Sequence, residues 1–200
     1  EPTPTEELFV FTEDNFPVLD GSTANIPLGQ ALAATLLGLD YDDCERFAQF
    51  NMTPQSYRNL EWNTCDLLLV YEAAEDTLNE ITPSGMSFVP IGRDALVFLV
   101  NKSNPVDSLT REQLEGIYRG EITNWSEVGG EDMEITAYQR GVTSGSQSLF
   151  DKLVLDRVSL MEAPPSLVIG GMGELVEVVA SFDGGAGAIG YNVYFYVTEM

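Results

Sequence analysis

The chain has 200 residues, of which 44% are hydrophobic and 10% aromatic, so it can bury the core of one domain or of two small lobes. Its 32 Asp and Glu residues against 9 Lys and Arg give a formal net charge of −23, typical of a solvated, soluble surface. Nucleic acid and anionic membranes are therefore poor partners, because no basic patch releases their counterions. An anionic ligand must be held by short-range donors.

The sequence contains no His. This absence removes the usual general base and the imidazole ligands of metal sites, and it excludes a catalytic triad built on His. We therefore expect no enzyme, no cofactor and no metal; a phosphate-ester hydrolase, one alternative, lacks an evident activated nucleophile. No apolar run is long enough to span a bilayer, so we expect no direct membrane insertion by the domain.

The first predicted element is a linker. Residues 1–7 are polar, acidic and contain Pro, as expected of a linker that remains after a signal peptide is removed. They predict an extracytoplasmic protein, either secreted, periplasmic or a cell-surface lipoprotein. Residues 8–11 predict a short buried strand. Residues 26–37 are rich in Ala and Leu and predict a helix, with Pro27 in its first turn and Gly38 at its end.

Further helices and strands follow in alternation. Residues 41–50 predict a helix that begins with acidic residues. Thr53 is the predicted N-cap of a third helix, with Pro54 at its first position. Residues 66–71 form a continuous apolar run typical of a buried parallel strand. Later patterns predict strands over 88–91, 95–100, 135–138 and 188–197, and helices over 110–118, 144–155 and 173–182.

This alternation predicts an α/β fold with largely parallel sheets. We expect lobe one over residues 8–90 and lobe two over residues 91–197. The hinge segments are expected near residues 90 and 191.

Cys44 and Cys65 lie on different predicted elements. Two interpretations stay open: a pair of buried thiols, or a disulfide formed in an oxidising compartment. In either case we expect the fold to hold without the bond, because the apolar content is large enough for a core.

Two predicted strand–turn–helix junctions, residues 20–25 and 139–148, carry Gly and hydroxyl residues. Free backbone N–H groups at a helix N-terminus bind anions, and Gly lets the backbone come close to a ligand. Arg140 adds a forked guanidinium that matches a tetrahedral oxyanion. Residues 170–173 are a weaker candidate for a further donor loop. Ser and Thr at such positions are more often plain helix caps, but the two junctions together indicate an anion site.

The most distinctive segments are residues 91–101 and 104–125. Three shorter motifs accompany them: Gly21-Ser22-Thr23, Arg140-x-x-x-Ser144-Gly145-Ser146 and Gly187-Ala188-Ile189-Gly190-Tyr191. Together these segments resemble the phosphate-binding proteins of ABC phosphate importers, over about residues 20–191.

The resemblance implies a type II periplasmic-binding-protein-like fold of two lobes. Inorganic phosphate, or a similar tetrahedral oxyanion, is held in the interlobe cleft by neutral donors, one Arg and a carboxylate acceptor. A membrane ABC permease is the implied partner, and we expect a monomer whose closed state is favoured by the ligand. Carried over by position, the ligand-binding residues are Ser22, Thr23, Thr53, Glu72, Arg140, Ser144, Gly145 and Ser146.

The chain departs from the family's pattern at three positions. Ser146 replaces a Thr, and Glu72 replaces an Asp, which lengthens the acceptor by one methylene. Val142 stands where the family often has an Asp that pairs with the Arg. The family also continues past the strand that holds Tyr191, so we expect a fragment or an abbreviated first lobe. These departures keep one alternative open: a surface-displayed structural or sensory module that has lost phosphate binding.

Glu72 is the candidate acceptor that separates phosphate from sulfate. At neutral pH phosphate keeps a proton and sulfate keeps none, so a buried carboxylate pairs with phosphate but faces only lone pairs in sulfate. We expect Glu72→Gln to lose the preference for phosphate, because the amide donates to either ion. Calorimetric titration with both ions measures this preference. An unchanged ratio of the two affinities would show that Glu72 is a solvated residue at a strand end.

Overall fold

The computed structural model of the chain describes residues 9–71, 86–142, 144–155, 160–181 and 185–199. The chain divides into two compact units, unit 1 (Glu1–Val70) and unit 2 (Tyr71–Met200). This division falls earlier in the chain than the lobe boundary expected near residue 90, and that boundary stays a prediction. None of the helices in the described ranges is long and apolar enough to cross a membrane.

The described residues of unit 1, 9–70, contain two strands and two α-helices. In chain order they are β1 (Leu19–Gly21), α1 (Ile26–Leu37), α2 (Thr53–Glu61) and β2 (Leu67–Leu69). The strands pair in parallel, with Leu19 opposite Leu67, as expected when helical segments connect them. The helix predicted over 26–37 is confirmed at both ends, because Pro lies in the first turn and Gly38 caps it with a φ of 69°.

Short 3₁₀ helices fill the connections of unit 1, over Thr23–Asn25 and Asp42–Phe47. The second replaces the helix predicted over 41–50. Between the sheet and the helices lies a small core of Leu19, Ala48, Phe50 and Leu69. This core holds the end of β1, and therefore the loop that follows it, against the segment before α2.

Unit 2 contains five strands and four α-helices in its described part. The strands are β3 (Leu96–Val100), β4 (Thr136–Ala137), β5 (Gln139–Arg140), β6 (Val168–Ile169) and β7 (Ala188–Val193). The helices are α3 (Arg111–Tyr118), α4 (Gly145–Phe150), α5 (Met172–Ala180) and α6 (Tyr194–Glu199).

The strands of unit 2 form two small sheets. In the first, β7 is central and pairs antiparallel with β3 and parallel with β4. In the second, β5 and β6 pair in parallel, with Arg140 opposite Ile169. Three of the four described ladders are parallel, as predicted, but the longest, between β3 and β7, is antiparallel.

An aromatic cluster forms the centre of the unit 2 core. Phe150, from α4, stacks on Tyr191, from β7, with ring centroids 4.3 Å apart. Tyr118, from α3, meets both rings edge-on at 4.7 and 5.3 Å. Tyr191, which the sequence analysis places near a hinge, is fully buried inside the β7 ladder. These contacts fix α4, and the loop before it, relative to β7.

Two apolar runs that predict strands do not form them. Phe9 and Val10 are 72% and 66% exposed, and the ring of Phe9 meets that of Phe11 edge-on. Residues 88–91 are likewise exposed and belong to no described ladder. An apolar run becomes a strand only where a neighbouring strand offers backbone partners, and local sequence carries no information on that neighbour.

The last predicted strand is too long. The strand predicted over 188–197 ends at Val193, and α6 begins at Tyr194, whose amide donates to the carbonyl of Ala95 at 2.8 Å. Its Tyr and Val content favours a strand, but the partner strand β3 begins only at Leu96.

Cys44 and Cys65 are both free and buried. Of the two interpretations left open by the sequence, the structure therefore has the pair of thiols. The core of unit 1 rests on packing rather than on a covalent bond.

Gly21 is required by close approach of the two strands of unit 1. A Cβ added at this position would lie 2.1 Å from the carbonyl oxygen of Leu69. We expect Gly21→Ala to force β1 and β2 apart and to lower the free energy of unfolding by about 1–3 kcal/mol. Urea denaturation measures the change, with Gly92→Ala as control, because a Cβ there meets no atom within 4 Å. Equal denaturation midpoints in the two variants would contradict this expectation.

Candidate anion site

Asp20, at the end of β1, organises the polar loops of unit 1. Its carboxylate is 2% exposed and accepts hydrogen bonds from the amides of Gly21 at 2.7 Å and Asn51 at 2.8 Å. It also accepts from the side-chain nitrogens of Asn51 at 3.0 Å and Asn59 at 2.6 Å. These neutral donors stabilise the buried charge, and together they tie β1 to the segment before α2 and to α2 itself.

Ser22 and Thr23 lie in the loop that Asp20 anchors. The amide of Ser22 donates to the carbonyl of Leu69 at 3.1 Å, and the side chain of Asn25 donates to the same oxygen at 2.9 Å. Ser22 is buried and stands at the cap position of the 3₁₀ helix, but its side chain makes no cap hydrogen bond. Thr23 is the first residue of that turn and is half-buried.

Thr53 is not the N-cap that the sequence predicts. It is the first residue of α2, and Met52 occupies the cap position with a φ of 65°. The Thr53 side chain is 1% exposed, and its hydroxyl has no hydrogen-bond partner. A buried hydroxyl without a partner is unfavourable, and in native structures it calls for an explanation such as a ligand.

Thr110, at the start of α3, shows what an ordinary cap looks like in this chain. Its hydroxyl accepts from the amide of Gln113 at 3.2 Å, and the Gln113 side chain accepts from the amide of Thr110 at 2.8 Å. Thr110, which lies outside the predicted anion site, thus caps its helix. The hydroxyls of Ser22, Thr53 and Ser144, which belong to the predicted site, do not cap theirs.

Arg140, at the end of β5, is the buried cation of unit 2. The side chain is 5% exposed, and burial lowers the pKa of its guanidinium. Its Nη1 donates to the carbonyl of Gly171 at 2.8 Å and its Nη2 to that of Gly170 at 2.9 Å. Its Nε has no partner. Two carbonyls of the glycine loop at 170–173 therefore support Arg140, and a role of its N–H groups as anion donors stays a prediction.

The loop from Arg140 to α4 brings the remaining predicted residues of unit 2 together. Ser144 is the buried N-cap residue of α4, and Gly145 opens the helix. The hydroxyl of Ser146 donates to the side-chain oxygen of Asn192 at 3.3 Å, and Asn192 is fully buried in β7. Thr143 lies outside the described residues. Asn192 was missed by the sequence analysis, because it belongs to an apolar strand pattern.

Tyr191 connects the backbone of Arg140 to α4. The Arg140 amide donates to the Tyr191 hydroxyl at 3.1 Å, and that hydroxyl donates to the side-chain oxygen of Gln147. Gln147 in turn donates to Asp151 at 2.7 Å. Burial raises the pKa of Tyr191, so its hydroxyl stays neutral at physiological pH. The orientation of Arg140 is thus set on its backbone side as well as at its guanidinium.

Two further residues, Glu72 and Cys65, add no geometry to the candidate anion site. Glu72, the predicted acceptor, lies outside the described residues. Cys65 is held protonated, because burial and the charges of Asp20 and Asp66 raise the pKa of its thiol to about 11. In the described part of the chain no group of His, Cys, Asp and Glu side chains could hold a metal ion. What the geometry offers is neutral donors in both units and one buried cation in unit 2.

Comparison with known families assigns the class of the chain. A model of the PBP superfamily domain matches residues 39–195. The chain therefore belongs to this superfamily, in agreement with the periplasmic-binding-protein-like class that the sequence motifs imply.

Curated relatives share its middle part. The phosphate-binding protein PstS of Borreliella burgdorferi is 33% identical over 86 residues, which are 43% of this chain and 31% of that protein. The phosphate-binding protein PstS of Bacillus subtilis is 31% identical over 100 residues, which are 50% of this chain and 31% of that protein. The matched region thus spans about a third of the length of these relatives.

Solved structures agree on the fold. An ABC-type phosphate transport receptor from Vibrio cholerae is 28% identical, with a TM-score of 0.64, covering 90% of this chain and 72% of the receptor. A putative phosphate ABC transporter substrate-binding protein from Clostridium perfringens, with bound phosphate, is 22% identical, with a TM-score of 0.63 over 90% of this chain and 71% of that one. The predicted α/β fold of the type II periplasmic-binding-protein class is confirmed.

The unpaired hydroxyl of Thr53 has a measurable consequence for stability. Because a buried hydroxyl without a partner is unfavourable, we expect Thr53→Val to keep the free energy of unfolding or to raise it by up to about 1 kcal/mol. Thr110→Val, the matched control, removes a working cap and should lower it by about 1 kcal/mol. Urea denaturation compares them. A loss in Thr53→Val as large as that in the control would show that its hydroxyl is a structural cap.

Proposed function

We propose that this chain is the ligand-binding part of an extracytoplasmic solute-binding protein that captures phosphate for an ABC permease. The ligand-binding residues on unit 1 are Ser22, Thr23 and Thr53. Those on unit 2 are Arg140, Ser144, Gly145 and Ser146, and Glu72 is the acceptor suggested by the sequence.

The observation that carries this proposal is the buried guanidinium of Arg140. Its two terminal nitrogens are held by backbone carbonyls, and its Nε is buried without a partner. Burying a cation next to neutral groups alone is costly, and a bound anion removes much of that cost. In a chain with a net charge of −23, such a cation is the expected means of attracting an oxyanion at short range.

The hydroxyls support the same chemistry. Ser22, Thr53 and Ser144 lie at the starts of helical turns without capping them. Hydroxyls donate to an oxyanion without adding charge, so the ligand can be held by many neutral donors and one Arg. The named relatives are phosphate-binding proteins, which favours phosphate over other tetrahedral anions.

The proposed role in transport is supported by the similar proteins and not by the geometry of the site. A receptor for ABC import must take up its ligand outside the cytoplasm and release it to a permease, and closure of the lobes on the ligand is the expected mechanism. The monomeric state and the hinges near residues 90 and 191 remain parts of this proposal.

Removing the guanidinium tests the site. We expect Arg140→Ala to weaken phosphate binding by about 2–5 kcal/mol, because a buried charge-assisted contact is lost, and Arg140→Lys to recover part of it. Calorimetry measures the affinities, with Arg46→Ala as control, since Arg46 is an exposed partner of Glu13. Thr53→Val adds a variant for which we expect no loss of stability, and it should bind phosphate more weakly than the parent.

These binding measurements distinguish phosphate capture from the alternative, a module that has lost phosphate binding. Phosphate affinity unchanged in Arg140→Lys, Arg140→Ala and Thr53→Val would remove the assigned site. Absence of heat with phosphate, sulfate and a neutral sugar on the parent protein would favour the alternative, a surface-displayed module that has lost binding.

A further inference from the structure

The charge of Arg140 is not balanced by any carboxylate in the described residues. Its hydrogen bonds go to two carbonyls, which are neutral, and its Nε has no partner. Arg140 is buried without a ligand, being 5% exposed. The cost of removing its guanidinium from water is therefore part of the free energy of folding and not of binding. A ligand that reaches this side chain meets a preorganised and uncompensated positive charge.

Three titratable groups influence Arg140 from the elements packed around it: Tyr191 on β7, Tyr196 on α6 and Glu174 on α5. Burial raises the pKa of Tyr191, so its hydroxyl carries no charge at physiological pH. Glu174 is exposed, and its carboxylate accepts from the amide of Gly171 at 3.4 Å, which is the capping contact of α5. Solvent screens this carboxylate, and it makes no ion pair with Arg140.

The loop that follows Arg140 adds no counter-charge either. Val142, two residues along the chain, is 88% exposed. Because its side chain is apolar, Val142 supplies no counter-charge. No carboxylate of the described residues pairs with Arg140, so we expect the ligand to supply the neutralising charge.

We propose that this site binds the doubly charged hydrogenphosphate ion in preference to the singly charged dihydrogenphosphate ion. The inference rests on the proposed function and deepens it. Coulomb attraction to a fixed charge grows with each charge on the ligand, and it is strong in a buried, weakly polarisable surrounding. A paired arginine would cancel most of this difference between the two protonation states.

The consequence is a defined dependence of affinity on pH. The second ionisation of phosphate lies near neutrality, so the dianion is scarce in acid and dominant in weak base. The affinity for total phosphate should rise by about tenfold per pH unit below that ionisation and level off above it. The affinity rises with pH because deprotonation of the ligand adds the negative charge that pairs with Arg140.

Comparing phosphate with thiophosphate separates titration of the ligand from titration of the protein. The second pKa of thiophosphate is lower than that of phosphate. The rise in affinity for thiophosphate should therefore occur at a pH that is lower by the difference between the two pKa values. Calorimetry on the full chain from about pH 5.5 to about pH 8.5 measures both profiles. A rise at the same pH for both ligands, or a flat profile for phosphate, overturns the inference.

A pair of variants with matched shape tests the role of charge at the loop. Val142→Asp and Val142→Asn differ only in charge, and the exposure of Val142 lets either side chain fit. We expect Val142→Asp to bind phosphate about three- to tenfold more weakly at the high-pH end and with a flatter profile. Val142→Asn should keep the steep profile of the parent, and equal profiles in the two variants contradict the inference.

The proposed function and this inference fail in different ways. Phosphate that binds with no rise towards high pH leaves the function intact and overturns only the charge selection. No phosphate binding at any pH overturns the function itself.

Discussion

The polar cluster of unit 2 depends on the buried guanidinium of Arg140. It is held at one end by the carbonyls of Gly170 and Gly171 and at its backbone by the hydroxyl of Tyr191. A buried cation tolerates few arrangements, because each donor must find an acceptor in the absence of water. The turn before α5, the strand β7 and the loop before α4 are therefore placed together.

Unit 1 also contains a buried charged group, but its charge is negative. The buried carboxylate of Asp20 is stabilised by main-chain and side-chain amides of Gly21, Asn51 and Asn59, all of them neutral. Neutral donors and acceptors stabilise such charges without salt bridges, whose partner charge would compete with a ligand. Unit 1 nevertheless leaves the buried hydroxyl of Thr53 without a hydrogen-bond partner, and unit 2 leaves the Nε of Arg140 without one.

Elements with local signals were predicted well. The helix over Ile26–Leu37 has Pro in its first turn and a left-handed Gly38 at its end, and both signals act within the helix itself. The apolar runs at 8–11 and 88–91 predict strands, but the described residues 9–11 and 88–91 form none, because a strand depends on a partner far along the chain. The same reason explains why the strand after Ala188 stops at Val193, where its partner β3 begins.

By itself, the sequence determined the α/β class, the loops that carry hydroxyls and the single Arg beside them, because these follow from periodicity and from residues close together in the chain. Only the tertiary structure decided what surrounds them. Asp20 receives its donors from residues 31 and 39 positions away, and Arg140 its acceptors from residues 30 and 31 positions away. Asn192 is polar within an apolar strand, and its contact with Ser146 spans 46 positions. Such pairings follow from how buried charges and amides are satisfied in three dimensions, which no local pattern records.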